Sequence, residues 1–346
     1  MKKINYLTLM FFVIRSCFIG MSLNTLLYFS KNSSYISIII GTIIGICLLI
    51  LFDYISRLYP DKNLYEIIDC SFKKSIANIL KFIILIFTFF ISFIIFWNLL
   101  TFISSQFLYK TPNIIIAICF MIAIIYTCFK GYDTFIRSTT IIFTFTIILF
   151  FISLISLTMQ SDITKSFPLS ISDSITGSYF FTGFNILPLF LLLNIPRNKI
   201  KDDDNFLKHK IYTLIFSSFT LFSVTYLVLT IYGIKLASLL QFPEFHLLKN
   251  ISIFGFIERM ENILALQWVF DYYVILTFLV LFIGDYTKPN KINYVIIGII
   301  IVIISAFIFS SNTVGDTFIK HKLSHMIYFV YFFIPLLIAI KNKLQM

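Results

Sequence analysis

The sequence predicts an all-α integral membrane protein of about ten transmembrane helices, and three observations carry that reading. Of 346 residues 59% are hydrophobic, about 204 side chains, against roughly 45–50% in a soluble globular chain, so a water-soluble fold has nowhere to bury the excess. Only 12% are charged and the mean hydropathy is +0.95, which excludes a disordered chain, a nucleic-acid binder and a secreted scaffold. At about 20 apolar residues per span, the apolar content suffices for about ten.

The spans can be located in order. Apolar runs fall near 6–29, 35–55, 79–108, 112–131 and 138–159, then near 177–194, 211–236, 257–284, 292–311 and 325–340. Each is long and continuously apolar, which predicts helices, because lipid-facing strands alternate over about ten residues. The first run follows Lys2 and Lys3 as a signal peptide would, but Arg15 interrupts it and no small-residue cleavage site follows, so a retained helix is expected. After the second run, Leu64, Ile67, Ile68, Phe72 and Ile76 recur at helical spacing among Glu66, Asp69, Lys73 and Lys74, as in a helix lying along the inner membrane surface. Residues 237–256 carry Phe242-Pro243 and the apolar Leu247, Leu248, Ile251 and Ile253 but are too short and polar to span; a lid over an outward vestibule is expected. The whole chain, 1–346, reads as a single transmembrane domain with a first half at about 6–159 and a second at about 177–340.

Charge sets the orientation. With the N-terminus inside, 18 of the 27 Lys and Arg residues fall in cytoplasmic segments, among them Arg57, Arg137, Arg197, Lys201 and Lys210, and eight fall outside. Both termini are therefore placed in the cytoplasm. The net charge of +11 follows from this topology and from contact with anionic lipid heads, so no nucleic-acid partner is required.

Reactive chemistry is sparse. The five cysteines, Cys17, Cys47, Cys70, Cys119 and Cys128, lack CxxC spacing and read as small packing residues. Asp202, Asp203 and Asp204 are consecutive and do not converge readily on one ion, which favours a solvated charge run over a metal site. His209, His246, His321 and His325 are spread over loops and loop edges, and there is no HExxH, GxSxG or phosphate-binding glycine loop. Glu258 and Glu261 share a face, but with Arg259 beside them they read as a charge cluster at the start of a helix. The expectation is a non-enzymatic protein with no catalytic residue, metal or cofactor.

Ionisable groups at bilayer depth are costly and need a reason. At 1.5 Å per residue, Arg15 lies about 16 Å into the first span and Asp271 about 20 Å from the inner end of the eighth, so they share a depth. Either they pair within the bundle, or Arg15 snorkels or lines water while Asp271 bonds a hydroxyl. Polar residues and glycines also cluster: Gly20, Ser22 and Asn24 in the first span, Asn98 and Thr101 in the third, and Gly177, Thr182, Gly183 and Asn185 in the sixth, ahead of Pro188. These mark the first and sixth spans as broken helices. Paired interruptions in the opening helices of two five-helix halves point to a substrate site, where unwound backbone holds a small zwitterion. Glycine that simply lets membrane helices pack closely is the competing explanation.

Tyr59-Pro60-Asp61-Lys62-Asn63-Leu64, Thr111-Pro112, Lys130-Gly131 with Arg137, Phe242-Pro243, Glu258-Arg259 and Trp268 occur in the order seen in the spore germination permease family, which the chain resembles over spans 1 to 8. That family comprises the B subunits of nutrient germinant receptors, within the amino acid, polyamine and organocation (APC) superfamily. The resemblance implies a five-plus-five inverted repeat and recognition of a small nutrient, typically an amino acid, in the inner membrane of the spore. It also implies A and C receptor subunits as partners. Arg15 and Asp271 depart from what the family leads one to expect, and span 5 has no lysine to stand in for sodium as in some relatives. If they pair, they take the place a coupling cation holds in sodium-driven relatives, which favours a sensor over a pump. An amino acid permease of the same fold, working without partner subunits, is the alternative.

Overall fold

The structure, a computed structural model, describes residues 2–16, 23–201, 205–249, 261–287, 289–308 and 312–345. Its helices are α1 (Lys3–Ser16), α2 (Leu23–Ser30), α3 (Ser34–Leu58), α4 (Leu64–Ser71), α5 (Lys74–Gln106), α6 (Asn113–Thr158), α7 (Ile171–Leu192), α8 (Phe206–Ala237), α9 (Pro243–Lys249), α10 (Glu261–Leu264), α11 (Leu266–Thr287), α12 (Lys291–Phe307) and α13 (Asn312–Phe318), then α14 (Ser324–Ile327) and α15 (Phe333–Gln345), with π-helical turns before and after α14. Among the described residues there is no strand, only a backbone bridge between Lys2 and Lys201. Among the described residues seven helices are long and apolar enough to cross a membrane: Leu23–Leu58, α5, α6, α7, α8, α11 and Thr313–Asn342.

Local chemistry explains the boundaries. α3 stops two residues before Pro60, which disfavours helical backbone in the residue ahead of it. α4 starts with a capping box in which the Asn63 side chain accepts from the Glu66 N–H and Glu66 accepts from the Asn63 N–H. α6 is two helices meeting at Gly131, with φ 79° and ψ 179°. A Cβ there would meet nothing within 4 Å, so the backbone angle alone calls for glycine, and a side-chain-bearing residue is disfavoured by roughly 1–2 kcal/mol. The joint separates the runs expected near 112–131 and 138–159.

Two expectations need correction. α7 runs unbroken through Gly177, Gly183 and Pro188, so the sixth span is not a broken helix among the described residues. Its glycines serve close packing: a Cβ on Gly177 would sit 1.5 Å from Ser30 Oγ, and one on Gly183 would sit 3.1 Å from the Tyr328 ring. Pro188 removes one backbone hydrogen bond inside a fully enclosed stretch without ending the helix. The interruption expected in the first span falls at residues 17–22, outside the described residues. The helix after span 2 also differs, because it ends at Ser71 and buries Leu64, Tyr65, Ile67 and Ile68 against the protein rather than against lipid. Tyr65 donates to the Phe282 carbonyl of α11 at 3.3 Å, while Ile76 already belongs to α5.

α7 and α11 are the most enclosed of the long helices and α6 the least. α3 packs along α7 and α8, and α1 fits among α6, α8 and α11. α6 exposes Ile122 and Tyr126 before the Gly131 joint and Ile141, Phe145 and Ile148 after it, apolar surfaces suited to acyl chains. The centre of the bundle is therefore where α1 meets α11.

Candidate functional site

α1 carries Arg15 into that centre and α11 brings Asp271 and Gln267 to meet it. Arg15 Nε lies 3.1 Å from Asp271 Oδ2, with the two side chains 3% and 2% exposed. Arg15 Nη2 donates to Gln267 Oε1 at 3.2 Å, and the guanidinium carbon stands 6.0 Å from the Phe11 ring centre. Asp271 and Gln267 are four apart and share a face of α11, so one guanidinium reaches both. The cluster is incompletely satisfied: Arg15 Nη1 and Asp271 Oδ1 have no hydrogen-bond partner among the described residues. Buried polar atoms left in this way await water or a ligand.

A cavity of about 40 Å³ adjoins the pair, lined by Arg15, Gln267, Trp268, Glu244 and apolar residues of α6 and α8. It has room for a few waters and not for an amino acid. α9 forms one wall. Within the segment expected to be a lid, of which 250–256 lie outside the described residues, α9 is a short buried helix whose Phe245 packs edge-on to Phe102 and Trp268, with Phe242 also against Phe102. Burial, and then Lys249, hold the His246 imidazole below its ordinary range, so α9 gains no charge from it at neutral pH.

The other expected site residues divide into groups. Asn98 and Thr101 are buried on one face of α5, and Asn98 Oδ1 accepts from the hydroxyl of Tyr272, the neighbour of Asp271. Asn24 Nδ2 donates to the Gln241 carbonyl at 2.5 Å, tying α2 to the start of the α9 segment. Gly20 and Ser22 lie outside the described residues, as do Glu258, Arg259 and the Asp202–Asp204 run. The sixth-span residues point elsewhere. Thr182 bonds back to the Ser178 carbonyl, Gly183 faces Tyr328, and Asn185 faces Gly45 of α3 with its Nδ2 lacking a partner among the described residues. His209, His321 and His325 sit in helical turns rather than loops, and His325 bonds Tyr179 at 2.7 Å. Among the described residues no group of three His, Cys, Asp or Glu side chains is placed to hold a metal.

A second charged centre was not anticipated. Asp53 of α3 receives Lys210 Nζ at 2.7 Å and Arg197 Nη1 at 3.0 Å on Oδ1, and Arg57 Nε at 2.7 Å on Oδ2. Lys210 also lies 4.5 Å from the Phe206 ring centre. Beyond it Asp285 accepts from Tyr132 at 2.7 Å and from Asn194 at 2.5 Å. The signal in the sequence was Asp53 itself, a carboxylate inside the second apolar run, four residues before Arg57.

Comparison with known proteins fits this architecture. YfkT of Bacillus subtilis (strain 168), whose name assigns it provisionally to spore germination, is 26% identical over 249 residues, 69% of this chain and 66% of that relative, just under two thirds of its length. Residues 6–314 match the spore permease family, described as spore germination proteins, and that span takes in both charged centres, most of α1 and every helix from α2 to α12. The chain is a membrane protein of the spore permease family of spore germination proteins.

Proposed function

We propose that this chain is the membrane subunit of a nutrient germinant receptor, binding a small nutrient, an amino acid foremost, and triggering germination from the inner membrane of the spore with both termini in the cytoplasm. The proposal includes ten spans in a five-plus-five inverted repeat. The joint at Gly131, the separation of α2 from α3 and the apolar α12 all support that number. A and C subunits complete the receptor in this reading.

The observation that carries the ligand assignment is the incompletely bonded Arg15–Asp271 pair beside a cavity. A zwitterion entering there offers its carboxylate to Arg15 Nη1 and its ammonium to Asp271 Oδ1, so both buried charges stay neutralised as the pair opens. Asn98, Thr101 and Asn24, with Gly20 and Ser22, flank the entering molecule in this reading. Thr182, Gly183 and Asn185 lie toward α3 and the last helices and would respond to the change rather than touch the ligand. Because the cavity is smaller than an amino acid, the ligand binds only a widened conformation, and that differential affinity shifts the population.

Spores lacking the gene, exposed to single nutrients, test the receptor reading: loss of the response to one nutrient class supports it. Gln267→Ala at unchanged protein level is then expected to raise the nutrient concentration needed for half-maximal germination. Unchanged germination on every nutrient, with amino acid uptake lost in growing cells, would identify a permease instead.

A further inference from the structure

At the end of the bundle that carries the N-terminus, a groove of about 590 Å³ is lined by Lys2, Asn5, Asp133, Ile136, Arg137 and Lys201. Its walls come from three parts of the chain: the start of α1, the turn of α6 after Gly131, and the segment ahead of α8. The Lys2–Lys201 backbone bridge fixes two of those walls together. Asn5 is held by Thr140, whose hydroxyl donates to Asn5 Oδ1 at 3.3 Å, and Thr140 also contacts the Thr8 hydroxyl at 3.2 Å, so the floor is tied to α6. Lys2, Arg137 and Lys201 are exposed, and among the described residues none of them is in an ion pair. Among the described lining residues three cations face one carboxylate, an excess of two positive charges.

Arg137 of the groove also heads an apolar track. Arg137, Ile141, Phe145 and Ile148 fall at successive helical turns on one face of α6, and the last three are 64%, 60% and 54% exposed. A cationic recess at one end of an apolar, outward-facing helical stripe has the two-part chemistry of a phospholipid: an anionic head followed by an acyl chain.

We propose that this groove is a binding site for an anionic phospholipid, its phosphodiester between Arg137, Lys201 and Lys2 and one acyl chain along Ile141, Phe145 and Ile148. Arg137 supplies the planar fork that grips two phosphate oxygens, the lysines act as point charges, and Asn5 offers an amide donor. The charge of the described lining residues matches a head with one or two phosphodiesters and gives a zwitterionic choline head no comparable gain. Occupancy would clamp α1, which carries Arg15, to the second half of α6. The lipid environment would then bear on the central site, although the lipid site itself does not depend on the nutrient reading.

The test uses the full-length chain in nanodiscs of mixed phosphatidylcholine and phosphatidylglycerol, transferred to detergent, with retained lipid counted by native mass spectrometry. Phosphatidylglycerol is expected to be retained over phosphatidylcholine, and titration with a short-chain phosphatidylglycerol should weaken about fivefold for Arg137→Gln or Lys201→Gln, roughly the worth of one surface cation. Arg137→Lys, which keeps the charge but loses the fork, should fall between Arg137→Gln and the unaltered protein, and Lys110→Gln, remote in sequence from every lining residue, should keep all of the affinity. Raising the ionic strength should release the lipid from the unaltered protein. Equal retention of the two lipids, or retention indifferent to salt in the unaltered protein, would overturn the proposal without any variant having to fold. Displacement by inorganic phosphate at concentrations as low as those of the lipid would show a free-phosphate site and overturn the lipid assignment.

Discussion

The two buried charged centres differ in how completely they are bonded. At Asp53 one carboxylate collects Lys210, Arg197 and Arg57, with both oxygens engaged at 2.7–3.0 Å. At Asp271 one carboxylate meets one guanidinium, and Asp271 Oδ1 and Arg15 Nη1 are left over among the described residues beside a cavity. A carboxylate saturated by donors is a structural fastening, here joining α3, the start of α8 and the connection after α7. One that keeps spare bonding capacity inside the bundle can exchange partners, as the proposed receptor role requires.

Substitutions can break this comparison. The largest loss is expected for Asp53→Ala, which leaves the enclosed Lys210 without its carboxylate and should destabilise the protein by about 5 kcal/mol, read as thermal unfolding in detergent. No second substitution should rescue it, because removing Lys210 as well still leaves Arg57 and Arg197 without the carboxylate they share. Asp271→Ala should destabilise by about 3–5 kcal/mol, yet here the double variant Arg15→Met with Asp271→Leu should regain most of the stability, since replacing a whole buried pair by apolar groups is often neutral or better. Additive losses in that double variant would show the two residues do not act as a pair. Restored stability with germination still absent would separate the role of the pair from its contribution to the fold.

Smaller effects sharpen the boundary of the central site. Tyr272→Phe removes the hydroxyl donated to Asn98 and should destabilise by about 1–3 kcal/mol, with a shift in nutrient sensitivity if Asn98 borders the ligand. Asn63→Ala, which removes one half of the α4 capping box, should be worth about 1 kcal/mol and leave nutrient sensitivity unchanged. A change in sensitivity for Asn63→Ala would mean that general destabilisation, not local contact, produces the phenotype.

The helices were legible because lipid demands long apolar runs, and the joint within α6 showed as Lys130-Gly131 between two of them. Arg15 and Asp271 could be placed near one another because helical rise converts residue number into depth. Asp53 and its cations were missed for a related reason: Arg197 and Lys210 count as loop charges in a topology argument, yet their long stems carry the charges back into the bundle. The sixth span was misread because glycine marks both a bend and a close approach. Only the neighbouring helix decides which, and Ser30, on a different helix, is what fills the space at Gly177. The buried α9 was half visible in Phe242-Pro243 and Leu247-Leu248, whose partners Phe102 and Trp268 are remote in sequence.

The absence of clearance around Gly177 also says where the molecule can divide. Ser37 donates to the Ser174 carbonyl at 3.0 Å, the Ser170 N–H donates to Ser33 Oγ at 2.8 Å, and a Cβ on Gly41 would press to 2.6 Å on Phe181. With so little clearance at Gly177 and Gly41 and these hydrogen bonds across the seam, α2, α3 and α7 are fastened to one another as a block. Among the described residues, helices α6 and α8 already depart from helical geometry at Gly131 and Gly233, where a rearrangement along other seams can be absorbed. The working parts are then not the individual helices but a fixed block and the remainder hinged against it.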